Sequence, residues 1–374
     1  MDCKEKIQHI IQHVKSLHAP DKREAVFNIR ARRRKETILL EGEISDKKTH
    51  NYLLKEISLV ATSIKNNIRL LPDSAVGEKQ WGIIYNSVAK LQTESSFASE
   101  VVSELLLGMP VKILDRKKNW FRVQTAEGYI GWISEAIAPV SESELREYNR
   151  NPKMIVVSWS ACAKWQPNPA SENVSDLVAG NLLIYCGTEG DYHQVSYPDG
   201  RVAYIHKNDV QDFNDWKKSI TLSGESIVET AEKLKGLPYF WGGTSYKGLD
   251  CSGYTKLVYL LHGLILPRDA SQQIKTGRLV DEIKNFDNVQ KGDLLFFGTK
   301  ATADNPTERV VHVGIYRGNK QFLHASDYVK IGSFDPNDRY FDAFNAQRYL
   351  RTKRYIADGE AIGIDTLNNQ PFYQ

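Results

Sequence analysis

At 374 residues the chain is long enough for two to four domains. Its 49 basic and 46 acidic residues give a formal net charge of +3, so no charge imbalance points to nucleic acid as a partner. The sequence also lacks an 18-residue apolar run that would predict a membrane span. The four cysteines show no framework spacing, which favours a reducing compartment, and we expect a cytoplasmic protein. Cys3 leaves open a lipoprotein of the cell envelope whose signal peptide was removed.

Residues 1–72 predict a small α+β unit. Apolar residues at helical spacing predict helices over 4–17 and 48–64, and two apolar runs, 25–29 and 37–42, predict strands between them. A basic run at 30–35 joins these strands, and a solvated hairpin tip explains it better than nucleic-acid binding does. The sequence assigns no chemistry to this unit.

The next two segments repeat each other at a constant offset along the chain. Residues 98–105, ASEVVSEL, correspond to 170–177, ASENVSDL, and the same offset continues without a gap to Ile133 and Ile205. Short alternating runs between glycine turns predict a small β-barrel in each copy. Both copies resemble bacterial SH3 domains, which we place at 76–145 and 152–214. Such domains either bind the cell wall or pack against an enzyme and shape its cleft.

The C-terminal part of the chain contains a candidate nucleophile. A glycine-rich turn precedes Cys251, and the apolar spacing that begins at Tyr254 predicts a helix with Cys251 in its first turn. Unpaired N–H groups and the helix dipole favour the thiolate there, and the thiolate is the nucleophilic form of cysteine.

A β-hairpin predicted over residues 310–325 contains a candidate base. If a longer loop or a bulge places His312 and His324 on one face, His312 can act as the base and His324 can orient it. A strict two-residue loop would place the two histidines on opposite faces. A structural role for a buried cysteine, and a Cys–His–His zinc site, are the alternatives. Because the close ligand pairs of common zinc sites are missing, we expect no metal and no cofactor.

These motifs occur together, in order, from about residue 225 to 356, and they resemble the NlpC/P60 family of cysteine peptidases. The resemblance implies a papain-like α+β domain at 220–374 in which Cys251 is the nucleophile, His312 the base and His324 the orienting residue. It also implies cleavage of the γ-D-glutamyl–diamino acid bond of cell-wall peptides. The matching motifs are Tyr239-x-Trp241-Gly242-Gly243, Asp250-Cys251-Ser252-Gly253, Pro267-Arg268, Gly292-Asp293-Leu294, His312-Val313-Gly314-Ile315 and His324-Ala325.

Two SH3-like domains before such a domain resemble the dipeptidyl-peptidase VI group, the γ-D-glutamyl-L-diamino acid endopeptidases. In that group the first SH3 domain closes one end of the cleft, so that only murein peptides with a free N-terminal L-alanine fit. Such peptides are the substrates of cell-wall peptide recycling. The resemblance implies that Glu94, Tyr129 and Asp250 surround the ammonium group. Glu94 could instead be a solvated acid, Tyr129 a barrel aromatic, and Asp250 a helix N-cap, alone or in addition.

Four further residues are candidates for the substrate cleft. Trp241 would shape the cleft, and Tyr239 would either hydrogen-bond the reacting groups or pack in the core. Ser252 and Ser271 would hold the α-carboxylate of D-glutamate. We expect a monomer acting on L-Ala-γ-D-Glu-diamino acid, with diaminopimelate or lysine as the diamino acid. Alternatives are a wall-binding protein with an inert catalytic domain or a broader endopeptidase, and acyl transfer on another amide or ester.

Overall fold

The computed structural model describes residues 3–34, 37–134 and 136–373. No helix in these ranges is both long and apolar enough to cross a membrane.

The N-terminal unit is a three-stranded sheet covered by two helices. Its elements are α1 Cys3–His18, β1 Phe27–Arg34, β2 Thr37–Ile44, α2 Lys47–Ser58 and β3 Ile64–Leu70. Ile7, Leu40 and Leu53 are fully buried between the helices and the sheet. Asp46 caps α2 by accepting from the Thr49 N–H.

Two expectations for the N-terminal unit are wrong. The second helix ends at Ser58, and the chain then forms β3, which pairs in parallel with β2. The basic run is not a turn, because Arg30 to Arg34 continue β1 and pair with β2; Lys35 lies outside the described residues. The run nevertheless forms the solvated end of the β1–β2 hairpin, since Arg30 and Arg32 to Arg34 are exposed and Ala31 is half-buried.

Each repeat forms a seven-stranded antiparallel sheet, and corresponding strands begin at the same repeat offset at six of the seven positions, as Trp81 and Lys153 do. Both SH3-like units are thus confirmed. The first sheet has the order β10-β4-β7-β8-β9-β5-β6 and the second β13-β12-β16-β15-β14-β11-β17, and neither order closes on itself, so the described strands form open sheets rather than closed barrels. The bounds are β4 Trp81–Ile84, β5 Val88–Gln92, β6 Val101–Leu106, β7 Pro110–Lys117, β8 Trp120–Gln124, β9 Ile130–Ser134, β10 Ile137–Val140, α3 Glu142–Arg150, β11 Lys153–Val156, β12 Ser160–Lys164, β13 Asn173–Val178, β14 Leu182–Glu189, β15 Tyr192–Ser196, β16 Val202–His206 and β17 Val210–Asp212.

The C-terminal unit packs a helix that begins at Cys251 against a six-stranded antiparallel sheet, the expected α+β arrangement. The elements are α4 Phe213–Ser219, α5 Gly224–Lys233, β18 Thr244–Ser245, β19 Gly248–Leu249, α6 Cys251–Leu260, β20 Leu264–Ile265, α7 Ala270–Gln273, β21 Arg278–Asp281, β22 Leu294–Thr299, β23 Arg309–Gly318, β24 Gln321–Ala325, β25 Val329–Ser333, α8 Ala343–Gln347, β26 Tyr349–Arg354, β27 Ile356–Ala357, β28 Glu360–Ala361 and β29 Asp365–Thr366. The sheet order is β21-β26-β22-β23-β24-β25.

The core of this unit lies between α6 and the sheet. Tyr254 and Val258 of α6 and Phe296, Val313 and Ile315 of the two central strands are fully buried in one cluster. At roughly 25 cal/mol per Å² of apolar surface, such burial is the main force that holds α6 on the sheet. Cys251 therefore starts a helix whose position is fixed by a large apolar contact.

Hydrogen bonds between units fix the first SH3-like unit on the C-terminal unit. The Thr244 N–H donates to Oε2 of Glu104 at 2.9 Å, and Arg268 Nε donates to Oγ of Ser103 at 3.0 Å. All four residues are buried, so neither bond competes with solvent. The contact places β6 of the first SH3-like unit directly beside the start of α6.

Candidate active site

A cleft of about 540 Å³ lies where the N-terminal, first SH3-like and C-terminal units meet. Cys251 and His312 both line it, and the second SH3-like unit contributes none of its residues, all of which the structure describes. The lining residues are Lys22, Arg23, Thr93, Glu100, Val102, Tyr129, Tyr239, Trp241, Gly242, Asp250, Cys251, Ser252, Arg268, Asp269, Ala270, Ser271, Arg309, Val310, Val311 and His312.

Cys251 is the first residue of α6, as predicted, and is half-buried. The side chain of Asp250 caps the helix by accepting from the Gly253 N–H at 2.7 Å. The sulfur receives backbone hydrogen bonds from Val313, the neighbour of His312, and from Ser252.

The expected lowering of the thiol pKa is wrong for the free enzyme. Desolvation by burial raises the pKa of Cys251 to about 12, and the neighbouring Asp250 carboxylate adds to this. The backbone hydrogen bonds and Arg268 lower it by less. Cys251 is therefore a neutral thiol in the resting cleft and needs a base close by.

A β-bulge brings the two histidines to one face of their hairpin. Ile315 pairs with Leu323, but the pairing shifts by one residue between Tyr316 and Gly318, which compensates the two-residue loop. Without the shift the two histidines would face opposite sides, so the predicted register is confirmed. They lie diagonally rather than directly opposite each other, because the register places Gly314 across from His324.

His312 Nε2 and His324 Nδ1 are joined by a hydrogen bond of 2.8 Å, which leaves Nδ1 of His312 for another partner. Burial is the main cause that lowers the pKa of both rings, to about 4 for His324 and well below the usual value for His312. Both rings are thus neutral near pH 7, and a neutral His312 can accept a proton. The pair bonds directly through these nitrogens, and no group of three or more metal-binding side chains is found among the described residues.

An acid that the sequence did not indicate lies behind this pair. Nε2 of His324 is buried without a hydrogen bond, and Oδ2 of Asp342 lies 3.8 Å away. Asp342 is the N-cap of α8, where it accepts from the Asn345 N–H. No pattern in the sequence marks Asp342, because its approach to His324 depends on where the start of α8 lies relative to β24.

Asp250 has a charge partner within its own unit. Arg268, 1% exposed, donates to both of its carboxylate oxygens, at 2.5 and 3.2 Å. The Ser252 hydroxyl accepts from Arg268 at 3.0 Å and donates to Asp250 at 3.2 Å. Both residues line the cleft, but their polar atoms are already engaged with each other and with Arg268. This favours the N-cap explanation for Asp250 over that of a free ammonium partner.

Glu94 does not line the cleft, contrary to expectation. Its side chain is exposed, and Thr93 and Glu100 of the same β5–β6 loop line the cleft instead. Glu100 Oε1 accepts from the indole N–H of Trp241 at 2.8 Å, so that this exposed tryptophan spans from the C-terminal unit to the first SH3-like unit. Tyr239 is half-buried beside Cys251, and desolvation raises its pKa.

At another wall of the cleft, Asp269 joins all three units. Its Oδ2 accepts from the Tyr129 hydroxyl at 3.2 Å and from Arg23 Nη1 at 2.7 Å. Arg23 Nη1 also donates to Ser271 Oγ at 2.9 Å. Tyr129 is 5% exposed and is therefore a buried aromatic that also presents its hydroxyl at the cleft. The contribution of Arg23 was not predicted, since 246 residues separate it from Asp269.

A thiol at a helix start, facing a histidine pair on an antiparallel sheet, is the arrangement of a papain-like cysteine hydrolase. The profile of the NlpC/P60 family matches residues 236–354, and that of the bacterial dipeptidyl-peptidase SH3 domain matches residues 91–136. The chain belongs to the NlpC/P60 family, and its similarity to cell-wall peptidases supports a peptidase that acts on the cell wall.

Relatives share more than the C-terminal domain. The chain is 30% identical over 265 residues to a γ-D-glutamyl-L-lysine dipeptidyl-peptidase of Bacillus cereus, over 68% of this chain and 76% of the relative. It is 29% identical over 262 residues to dipeptidyl-peptidase 6 of Lysinibacillus sphaericus, over 68% and 91%. A crystal structure of an NlpC/P60 family protein from Bacillus cereus has the same fold, with a TM-score of 0.62 at 24% identity, over 74% of this chain and all of that one.

Proposed function

We propose that the protein is a cysteine peptidase that hydrolyses the γ-D-glutamyl–L-diamino acid bond of murein peptides with a free N-terminal L-alanine. The observation that carries the proposal is that Cys251 and His312 line one cleft, and that residues of the first SH3-like unit form one side of this cleft. The proposal is supported by the relatives named as dipeptidyl-peptidases and by the match of residues 91–136 to a bacterial dipeptidyl-peptidase SH3 domain. A role in the recycling of freed peptides in the cytoplasm follows as part of the proposal.

The chemistry begins with transfer of the Cys251 proton to His312. Burial disfavours both the lone thiolate and the lone imidazolium, so each charged form gains stability from the other when the proton moves. The sulfur attacks the γ-carbonyl carbon, and backbone N–H groups at Cys251 stabilise the oxyanion. His312 then protonates the leaving amine of the diamino acid. Finally, it deprotonates the water that hydrolyses the thioester.

His324 orients His312 in this scheme. The 2.8 Å hydrogen bond between the rings holds the imidazole plane and selects the tautomer. Asp342, at 3.8 Å from Nε2 of His324, favours the proton on that nitrogen, so that Nδ1 of His324 accepts from Nε2 of His312. Nδ1 of His312 is then the unprotonated nitrogen that takes the proton of the thiol.

Selection for a free amine needs carboxylates that can partner an ammonium group. Three groups that line the cleft can accept hydrogen bonds from an ammonium group. They are the carboxylates of Glu100 and Asp269 and the hydroxyl oxygen of Tyr129. They replace Glu94 in this role. Asp250 contributes less because Arg268 donates to both of its oxygens, whereas Arg23 donates to Oδ2 of Asp269. Trp241 and Tyr239 shape the cleft between these carboxylates and Cys251.

Product analysis tests the proposal. The wild-type protein should release L-Ala-γ-D-Glu from the tripeptide L-Ala-γ-D-Glu-diamino acid and should cut the N-acetylated tripeptide far more slowly. Cys251→Ala should abolish hydrolysis without loss of folding, because removal of one sulfur leaves only a small cavity. Turnover by Cys251→Ala, or equal rates on free and acetylated peptides, would contradict the nucleophile or the amine pocket, respectively.

A further inference from the structure

The turn between α1 and β1 brings two cations of the N-terminal unit into the cleft. Lys22 and Arg23 both line it, although none of the other described residues of that unit does. The main chain holds the turn in place: the Ile130 N–H donates to the Arg23 carbonyl at 2.6 Å, and Gln124 Nε2 donates to the Glu24 carbonyl at 3.0 Å. The position of the turn therefore does not depend on the side chain of Arg23.

The guanidinium of Arg23 is held in a fixed orientation. Its Nε and Nη2 donate to the two oxygens of Asp21 at 2.8 and 2.6 Å, and its Nη1 donates to Asp269 and Ser271. These bonds use four of the five N–H groups of an arginine, and the second N–H on Nη2 remains for a ligand. A guanidinium that is already oriented loses little side-chain entropy when a further acceptor arrives.

The bond to Arg23 makes Ser271 a donor. A hydroxyl has one proton and accepts through its lone pairs, so acceptance from Arg23 leaves the proton of Ser271 free for another group. Ser252 differs, because its proton is already given to Asp250 at 3.2 Å. Ser271 is half-buried and lines the cleft, and a donor bond from a charged group polarises its hydroxyl. The pair Arg23 and Ser271 is therefore built to receive an acceptor such as a carboxylate.

Asp21 and Asp269 already balance the charge of Arg23, so Arg23 and Ser271 would select an acceptor by their free N–H and O–H groups rather than by net charge. Four cations and three anions are found among the described lining residues. They are Lys22, Arg23, Arg268 and Arg309, and Glu100, Asp250 and Asp269.

We propose that Arg23, from the N-terminal unit, determines specificity by binding the α-carboxylate of the D-glutamyl residue together with Ser271. The inference rests on the proposed function and gives the N-terminal unit a role in it. The enzyme then distinguishes D-glutamyl peptides from peptides in which this carboxylate is an amide, since an amide lacks the charge and offers one acceptor oxygen instead of two. Asp269 and Tyr129 lie next to Arg23. They would therefore contact the ammonium group of the L-alanine that precedes this D-glutamyl residue.

The test measures kcat/KM for the free-amine tripeptide and for its α-amidated counterpart, which contains D-isoglutamine. The wild type should prefer the carboxylate form by roughly 10-fold or more, as expected for hydrogen bonds to a charged group. Arg23→Ala should bring that ratio close to one, mainly through a higher KM for the carboxylate form. Arg23→Lys should keep part of the preference. Ser271→Ala combined with Arg23→Ala should lose less than the sum of the single effects, because both act on one group.

Arg122→Ala is the matched control. Arg122 Nη1 forms an ion pair of 2.6 Å with Glu43, and so joins the same two units as the Arg23 turn, but it does not line the cleft. It should leave the ratio unchanged. A ratio in Arg23→Ala equal to that of the wild type, or an equal fall of the ratio in Arg122→Ala, would overturn the inference.

Binding of both peptides to the Cys251→Ala protein, with and without Arg23→Ala, separates this inference from the proposed function. If the wild type cuts neither peptide, the proposed function is wrong, and the binding ratio alone decides the role of Arg23. A preference for the carboxylate peptide that disappears with Arg23→Ala supports the inference in that case too. Equal binding of the two peptides in the presence of Arg23 refutes it.

Discussion

The two SH3-like units share one sheet order and differ in what they touch. The first lines the cleft and makes buried contacts with the C-terminal unit, whereas the second lies outside the cleft. Matched positions show how the difference arises. Ser103 accepts from the buried Arg268 at 3.0 Å, while Ser175, its counterpart in the second copy, bonds the hydroxyl of Tyr197 within its own unit at 2.6 Å.

The next matched pair shows the same divergence. Glu104 is buried and accepts from the Thr244 main chain, whereas Asp176 forms an ion pair with Lys247 in which both side chains are about half exposed. The duplicated backbone thus tolerates either partner at each position. Participation in the cleft depends on a few side chains on one face, and the fold alone does not reveal which copy takes part.

The largest difference should appear when a cation next to each unit is removed. Arg268→Met leaves the Asp250 carboxylate buried without its counter-charge, which costs about 3–5 kcal/mol of unfolding free energy. Lys247→Met, beside the second unit, removes an exposed ion pair with Asp176 and a hydrogen bond of 3.2 Å to Ser87, and should cost about 0–1 kcal/mol. Chemical denaturation of both variants measures this contrast. Equal losses would mean that the two units are attached in equivalent ways.

Ser103→Ala and Ser175→Ala compare the matched serines directly. Ser103→Ala leaves Nε of a fully buried guanidinium without an acceptor and should cost about 1–3 kcal/mol, with reduced activity because Arg268 holds Asp250 and Ser252. Ser175→Ala should leave kcat/KM unchanged, since its bond lies within the second unit. An activity loss in Ser175→Ala would show that the second unit also acts on the cleft.

Tyr129 and Arg201 occupy matched positions with different chemistry. Tyr129→Phe removes the hydroxyl bond to Asp269 and should lower kcat/KM for the free-amine tripeptide by about 10-fold, which equals ~1.4 kcal/mol. Arg201→Ala removes contacts to Asp199 and to the Tyr85 carbonyl, both outside the cleft, and serves as the control. Steady-state kinetics on both variants should separate them, and an equal decrease would argue against a pocket at Tyr129.

The smallest effect is expected at Glu94, whose repeat counterpart is Gln166. Because Glu94 is exposed and does not line the cleft, Glu94→Gln should change kcat/KM by less than about twofold and stability by less than about 0.5 kcal/mol. Glu100→Gln, in the same loop, should have the larger kinetic effect. If Glu94→Gln were the more damaging change, the β5–β6 loop would have to rearrange when substrate binds.

Local patterns predicted the parts of the molecule that depend on neighbouring residues. The repeat offset located both SH3-like sheets, the apolar spacing after Cys251 located α6, and face alternation required the bulge that joins His312 to His324. Burial was not predictable in the same way. The pKa of the Cys251 thiol rises because burial desolvates the sulfur, whereas the helix start alone predicted the opposite direction.

Residues whose roles depend on contacts between distant elements escaped prediction for a related reason. The roles of Arg23 and Asp342 depend on how separate elements dock, and no periodicity within either segment encodes that docking. Glu94 and Glu100 lie in one loop and differ only in which side chain turns inward. The sequence could therefore identify the family and the candidate nucleophile and base, but not the charged residues that complete the cleft.

The order of the units along the chain bears on biosynthesis. Arg23, Glu100 and Tyr129 all precede Cys251, and nearly half of the chain lies between Tyr129 and His312. Nascent domains fold from the N-terminus during translation at about 5–20 residues per second, so the walls have roughly 9 to 37 seconds to fold before His312 is made. The N-terminal and first SH3-like units can thus fold before His312 is made, and the C-terminal unit then folds onto walls that already exist.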